Sequence, residues 1–467
     1  MKMTKKILLG FITYCLLFTA FSALSPEVNA QDKKALKKAR KLTDDGNKAF
    51  TQRNYKVAID NYAQAIVIAP NLPEPHFWKG YAHYYLKEYE PALTEINRAE
   101  DLNFNKPVEI YKIRWFLNYD KKNYDEAFED VKKGLQAEPS NLTLIVASGD
   151  LNRAKGNYAD SITAYQRALQ MKPNNGGDLH YFIALAHYNL GDTKAQGAAA
   201  SEAIKGGTKF IGESYALIGD AFQKQREYPQ AIEAYQRSLT AKEENYEVHR
   251  SLADIYRSQN KIDEAIEISK KALRLFPNDG NIYTDLSWYY SLSNRHEDAI
   301  QAAQAGIRFL PDQSLAYTNL CRAYNDLKNF QLAINSCNKA LQISPNDGET
   351  NFYLGFAYQL SGKAAESPKF YKKAVTGLLE FTKNNPDYSD GFYLLGNAYF
   401  SDNQPQKAIE AYRRCLEISP RFSKARYNLG IIYVTKSEKP LALEQYNALL
   451  NLDKELAVKL KTEIDKL

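Results

Sequence analysis

Seven prolines of this chain each stand twelve residues after a residue that opens one short pattern, small-x-x-x-bulky-x-x-small. The pattern reads Ala58, Tyr62, Ala65, Pro70 near the start and Ala408, Tyr412, Cys415, Pro420 near the end. Its opening position recurs at Ala58, Ala92, Ala127, Ser161, Gln196, Ala231, Ala265, Ala299, Ala333, Ser367, Ala408 and Ala442. The gaps are 34 or 35 residues, with a single gap of 41. A fixed period of this size means a stack of supersecondary units, none of which can bury a core alone. Twelve units therefore begin near residues 39, 73, 108, 142, 177, 212, 246, 280, 314, 348, 389 and 423, and they fill residues 31–453. That filling leaves no room for a catalytic domain, and the chain is expected not to be an enzyme.

Helix packing explains the spacing. Apolar residues at i, i+3, i+4 and i+7 give one buried stripe, and both halves of each unit carry it. Twelve residues before the opening position another small residue is common, as in Gly46, Gly80, Gly149, Gly219, Gly355, Gly396 and Gly430. Three residues further on an aromatic follows in many units, as in Phe222, Tyr256, Tyr324 and Tyr433. Small residues at a crossing let two helices approach closely, and the aromatic fills the space beside them. Proline after the second helix cannot continue it, so the chain turns into the next unit.

This series resembles the tetratricopeptide repeat over nearly the whole chain after residue 30. The resemblance implies an all-α fold, an α-solenoid of helix-turn-helix repeats forming a right-handed superhelix. Its departures are informative. Gln196 replaces the small residue in the fifth unit among Gly197, Gly206 and Gly207, which would suit a bend between blocks of five and seven units. The gap of 41 adds two helical turns, so an elongated second helix through 375–383 would keep its buried face. Leu456, Leu460, Ile464 and Leu467 suit a polar-backed capping helix over 454–467.

Residues 1–30 read as a signal peptide. Lys2, Lys5 and Lys6 precede an apolar stretch from Ile7 to Leu24, and Val28-Asn29-Ala30 supplies small residues before Gln31. An uncleaved anchor is the competing reading; after cleavage no membrane span is expected. Removal lowers the formal charge from +6 to +4, too mild for a nucleic-acid footprint. One local cluster stands out: Lys33, Lys34, Lys37, Lys38, Arg40 and Lys41. A solvated helix end is its plainer reading and contact with an anionic surface the sharper one.

Cys321 and Cys337 lie on paired helices of one unit, where export would permit a disulfide. Their offset of about one turn from direct opposition favours buried free thiols instead. His76 and His83, like His180 and His187, are seven residues apart, about 10.5 Å along a helix and too far for one metal. No phosphate loop, CxxC or HExxH occurs, and no cofactor is expected.

The resemblance places a concave groove on the first helices. On this chain it offers Phe77, Tyr81, Tyr84 and Tyr85, then Arg250, Asp254, Arg257, Trp288, Arg322 and Asn325, then Phe352, Phe356, Tyr393 and Phe400. Aromatics and arginines are the residues enriched at binding hot spots. The family's lysine/asparagine clamp for a C-terminal carboxylate is incomplete, because Trp78 stands where its second asparagine belongs. The expectation is an interaction scaffold of a bacterial periplasm or cell envelope, within an envelope complex. It would bind a peptide segment or a partner protein, with a carbohydrate or polymer as the alternative occupant.

Overall fold

The computed structural model describes residues 26–467, with side chains from residue 32 onward; the apolar stretch of the expected leader lies outside them. Twenty-five α-helices and no strand follow one another among the described residues. They form twelve consecutive pairs and a last single helix, Lys454–Ile464. The chain is an all-α solenoid. Most helices are 13 to 15 residues long, as in the second repeat, Pro73–Tyr85 followed by Tyr89–Asp101.

Each first helix ends at a residue with left-handed backbone: Arg53, Lys87, Lys122, Gly156, Gly191, Arg226, Asn260, Asn294, Lys328, Gly362, Asn403 and Ser437. Those positions keep the same gaps as the small-residue series, so one turn geometry is reused in all twelve repeats. Three of the twelve sites hold glycine and three asparagine, the residues that adopt this backbone most readily; at the other six it costs about 1 kcal/mol each.

Within a pair the helices meet where a glycine lies under a tyrosine ring. A Cβ on Gly149 would fall 2.5 Å from Cε1 of Tyr165, and the same holds for Gly46 with Tyr62 and Gly396 with Tyr412. The buried hydroxyls find partners: Tyr165 donates to Asp150 at 2.7 Å and Tyr62 to Asn47 at 2.8 Å. In every such pair the two residues are sixteen apart in sequence.

Cys321 and Cys337 occupy that same pair of positions in the ninth repeat, between Ser314–Asp326 and Phe330–Ile343. They are joined as a disulfide with Cα atoms 5.3 Å apart, which corrects the free-thiol reading. At this crossing the two positions face each other directly, so two small side chains there come within bonding reach. Cys415 is buried and free.

The chain divides into two compact units, one ending at Lys209 and the other running Phe210–Leu467. The first closes on the fifth repeat, Gly176–Leu190 and Thr193–Lys205, which is fully helical despite its weak signature. There Gly177 passes so close to the chain that a Cβ would sit 2.6 Å from the Gly206 carbonyl oxygen. Asp178 then ties down the loop by accepting from Thr208 Oγ1 at 2.8 Å and from the Lys209 amide at 3.0 Å. In the second unit the additional residues before Ala408 lengthen one helix to 18 residues, Ser367–Asn384. Gly377 lets it cross the preceding loop, since a Cβ would lie 2.4 Å from the Asn346 carbonyl oxygen. The last helix buries Ala457, Leu460 and Ile464, while Leu467 stays exposed.

Candidate functional site

The first unit carries a continuous aromatic surface on the first helices of its first three repeats. Phe50 lies 5.3 Å from Tyr81 and 5.5 Å from Tyr85 between ring centroids. Tyr81 lies 6.0 Å from Tyr84, and Tyr84 lies 5.5 Å from Phe116. Tyr119 extends the row beside Trp115 at 6.0 Å. Tyr85 is 46% exposed, and Phe50, Tyr81, Tyr84, Phe116 and Tyr119 are half-buried. Burial pushes the Tyr81 and Tyr84 hydroxyls above the ordinary phenol range, so they remain donors at any ordinary pH. Phe50, Phe116 and Tyr119 complete the groove set; Phe50, Tyr84 and Tyr119 are separated by 34 and 35 residues, a signal already present in the repeat register. Phe77 is corrected: it is buried in the core, stacked on Phe104 at 4.4 Å.

In the second unit the corresponding surface is ionic and largely turned on itself. Arg257 donates through Nη1 to Asp390, 133 residues away, at 2.7 Å. Its guanidinium lies 4.5 Å from the Trp288 ring centroid and 5.8 Å from that of Tyr388. Arg322 is paired with Glu349 and lies 5.0 Å from the Tyr353 ring centroid. Asn325 donates to the Tyr353 carbonyl at 3.0 Å. Arg322, Asn325 and Phe352 are buried, which corrects their expected exposure, and Arg257 is nearly so. Arg257 is covered because the seventh and eleventh repeats approach each other within this unit, whereas Arg322 and Asn325 meet Glu349 and Tyr353 of the next repeat.

Arg250 remains exposed, 3.7 Å from Asp285. Burial pushes the Asp285 carboxyl up to about 7, with Arg250 opposing the shift. Phe356 and Tyr393 are half-buried, Tyr393 lying 5.0 Å from Phe422, while Phe400 is 41% exposed. His76 is held between Glu95 at 2.6 Å and the Pro70 carbonyl at 3.2 Å, a packing role. Among the described residues no group of three or more His, Cys, Asp or Glu side chains is placed to hold a metal.

The tetratricopeptide-repeat family profile matches residues 146–209, 217–280, 314–347 and 389–422, in phase with the helix pairs. The chain is a tetratricopeptide-repeat protein. Among curated relatives it is 21% identical over 193 residues to the BBSome complex member BBS4 homolog of Drosophila melanogaster, covering 38% of this chain and 39% of that one. It is 30% identical over 139 residues to the small glutamine-rich tetratricopeptide repeat-containing protein 2 of Mycosarcoma maydis, covering 28% and 39%. The chain thus spans less than half the length of these relatives. Among solved structures, the APC/C hetero-tetramer Cut9-Hcn1 aligns over 94% of this chain and 99% of its own, at 15% identity and a TM-score of 0.42. Among the described residues no helix is long and apolar enough to cross a membrane.

Proposed function

We propose that the chain is a protein–protein interaction scaffold that takes its partner, a peptide segment or a folded protein, on the aromatic surface of repeats one to three, without catalysis. One observation carries the reading: five aromatic side chains from three successive first helices, Phe50, Tyr81, Tyr84, Tyr85 and Phe116, form an unbroken row that stays partly open to solvent. Large, stiff aromatics gain contact area at little entropic cost, which is why they dominate binding hot spots. Many of these rings meet edge to face, Phe50 with Tyr85 at 77° and Tyr84 with Phe116 at 89°. Few flat faces are left free for stacking on sugars, so the protein partner is preferred over the polymer alternative.

The setting proposed is export to a bacterial periplasm or cell envelope, within an envelope complex. The leader-like residues 1–30 support it, and so does a buried disulfide, which persists in oxidising compartments. The test of the binding surface is affinity capture from envelope extracts with wild type and a Tyr81→Ser/Tyr85→Ser/Phe116→Ser variant. The variant is expected to lose the specific partners by at least about tenfold, as hot-spot removal does. Equal recovery by a variant of unchanged helicity would sink the assignment.

A further inference from the structure

The first helix, Pro26–Thr51, is 26 residues long, while its partner Tyr55–Ile68 has 14. Counted from Gln31, where the expected leader ends, 21 residues of it remain, and at 1.5 Å per residue they overhang the partner by about 10 Å. The overhang and the turn after it carry Lys33, Lys34, Lys37, Lys38, Arg40 and Lys41, all exposed. At 3.6 residues per turn these six fall within an arc of about 160°. Ala35, Leu36, Ala39 and Leu42 take the opposite side, where Ala39 is fully buried.

What sets these cations apart is their number on one helix face with no ion pair among them. Some exposed lysines elsewhere meet a carboxylate one turn away, as in Lys205 with Glu202 at 2.7 Å, Lys270 with Glu267 at 3.0 Å and Lys459 with Glu455 at 2.7 Å. Lys48, at the far end of the same helix, pairs with Asp45 at 2.9 Å. Among the described residues none of the six basic side chains has such a partner, and Asp44, which shares their arc, forms no ion pair with them. The Lys48 hydrogen bond, with Lys41 adding to it, holds the Asp45 carboxyl below its usual range, and the other five cations meet no such partner. Like charges packed at i, i+3 and i+4 on one helix face also repel, which disfavours the helix unless an external anion relieves it.

We propose that this face is a docking surface for an anionic phospholipid bilayer. A single-sided array of flexible ammonium groups suits a diffuse plane of charge, toward which each basic residue near the surface adds attraction. Docking here leaves the aromatic row of repeats one to three unmutated and available, so loss of bilayer contact and loss of partner binding are separable.

The test is vesicle flotation of the full chain and of a variant with all six side chains changed to glutamine. Vesicles are phosphatidylcholine alone, or phosphatidylcholine with phosphatidylglycerol. The apolar stretch contributes equally in every combination, so the difference between vesicle types reports the basic face. Wild type is expected to prefer anionic vesicles by about tenfold or more, and the variant or high salt to abolish the preference. A second variant, Lys33→Gln/Lys34→Gln/Lys37→Gln/Lys38→Gln, changes only the overhang outside the repeats and should lose most of the preference with its helicity intact. Equal partitioning of wild type onto both vesicle types overturns the proposal. So does retention by a soluble polyanion such as heparin without any preference for anionic vesicles.

Discussion

Gly149 and Tyr165 show how one pair of residues sets the distance between two helices. With no side chain on Gly149, the ring of Tyr165 rests on the backbone of the facing helix and its hydroxyl reaches Asp150. Gly149→Val would drive two methyl groups into that ring, and overpacking of this kind costs about 1–3 kcal/mol. A drop of several degrees in the thermal midpoint is expected; an unchanged midpoint would mean the ring is not held there. Asp285 works in the opposite direction. Burial raises its carboxyl to about 7 in the folded chain, above its unfolded value, so folding favours the protonated form. Stability from this group is therefore full at acid pH and declines as pH rises from about 4 to 7. Asp285→Asn should stabilise the chain at pH 8, leave it little changed at pH 4, and flatten the slope between, as read from denaturant midpoints. A parallel shift at both pH values would contradict the assignment.

At the scale of the helix pair, the crossing position explains what could be read in advance. The register of small residues, aromatics and prolines made the all-α solenoid legible, because each position answers to one steric demand that recurs in every repeat. It also held the disulfide: Cys321 and Cys337 are sixteen apart, the separation of Gly149 from Tyr165 and of Gly396 from Tyr412. Judging the cysteines by helical offset alone, without that precedent, favoured free thiols. The buried arginines were less legible. Arg257 meets Asp390 only because distant repeats of the second unit come together, and no local pattern encodes that approach. The covalent pair gives a compact test. Under the proposed export, the intact mass should correspond to a chain that begins at Gln31 and is lighter by two hydrogens until reduced, with alkylation under denaturing conditions reaching Cys415 alone. For a loop of this length, loss of the bond should lower stability by about 3 kcal/mol. A chain starting at Met1 with all thiols reactive would contradict both the processing and the bridge.

At the scale of the whole molecule, two units of one solenoid use the same helix surface differently. In the first, inward positions hold Phe50, Tyr81, Tyr84, Tyr85 and Phe116, which pack on one another yet remain partly open. In the second, the inward arginines are neutralised by Glu349 and Asp390 of the same chain. Repeats contact mainly their neighbours, so such surface differences can be added without disturbing the stack. The central claim is that the aromatic row, rather than the ionic interior, receives the partner. Site-specific photo-crosslinking in the native envelope tests it most directly, with the photoreactive side chain at Tyr85, at Phe116, at Arg250 and at exposed Lys132 on a second helix. The account predicts one shared crosslinked partner from Tyr85 and Phe116 and none from Arg250 or Lys132. Crosslinks from Arg250 with none from Tyr85 and Phe116 would contradict it.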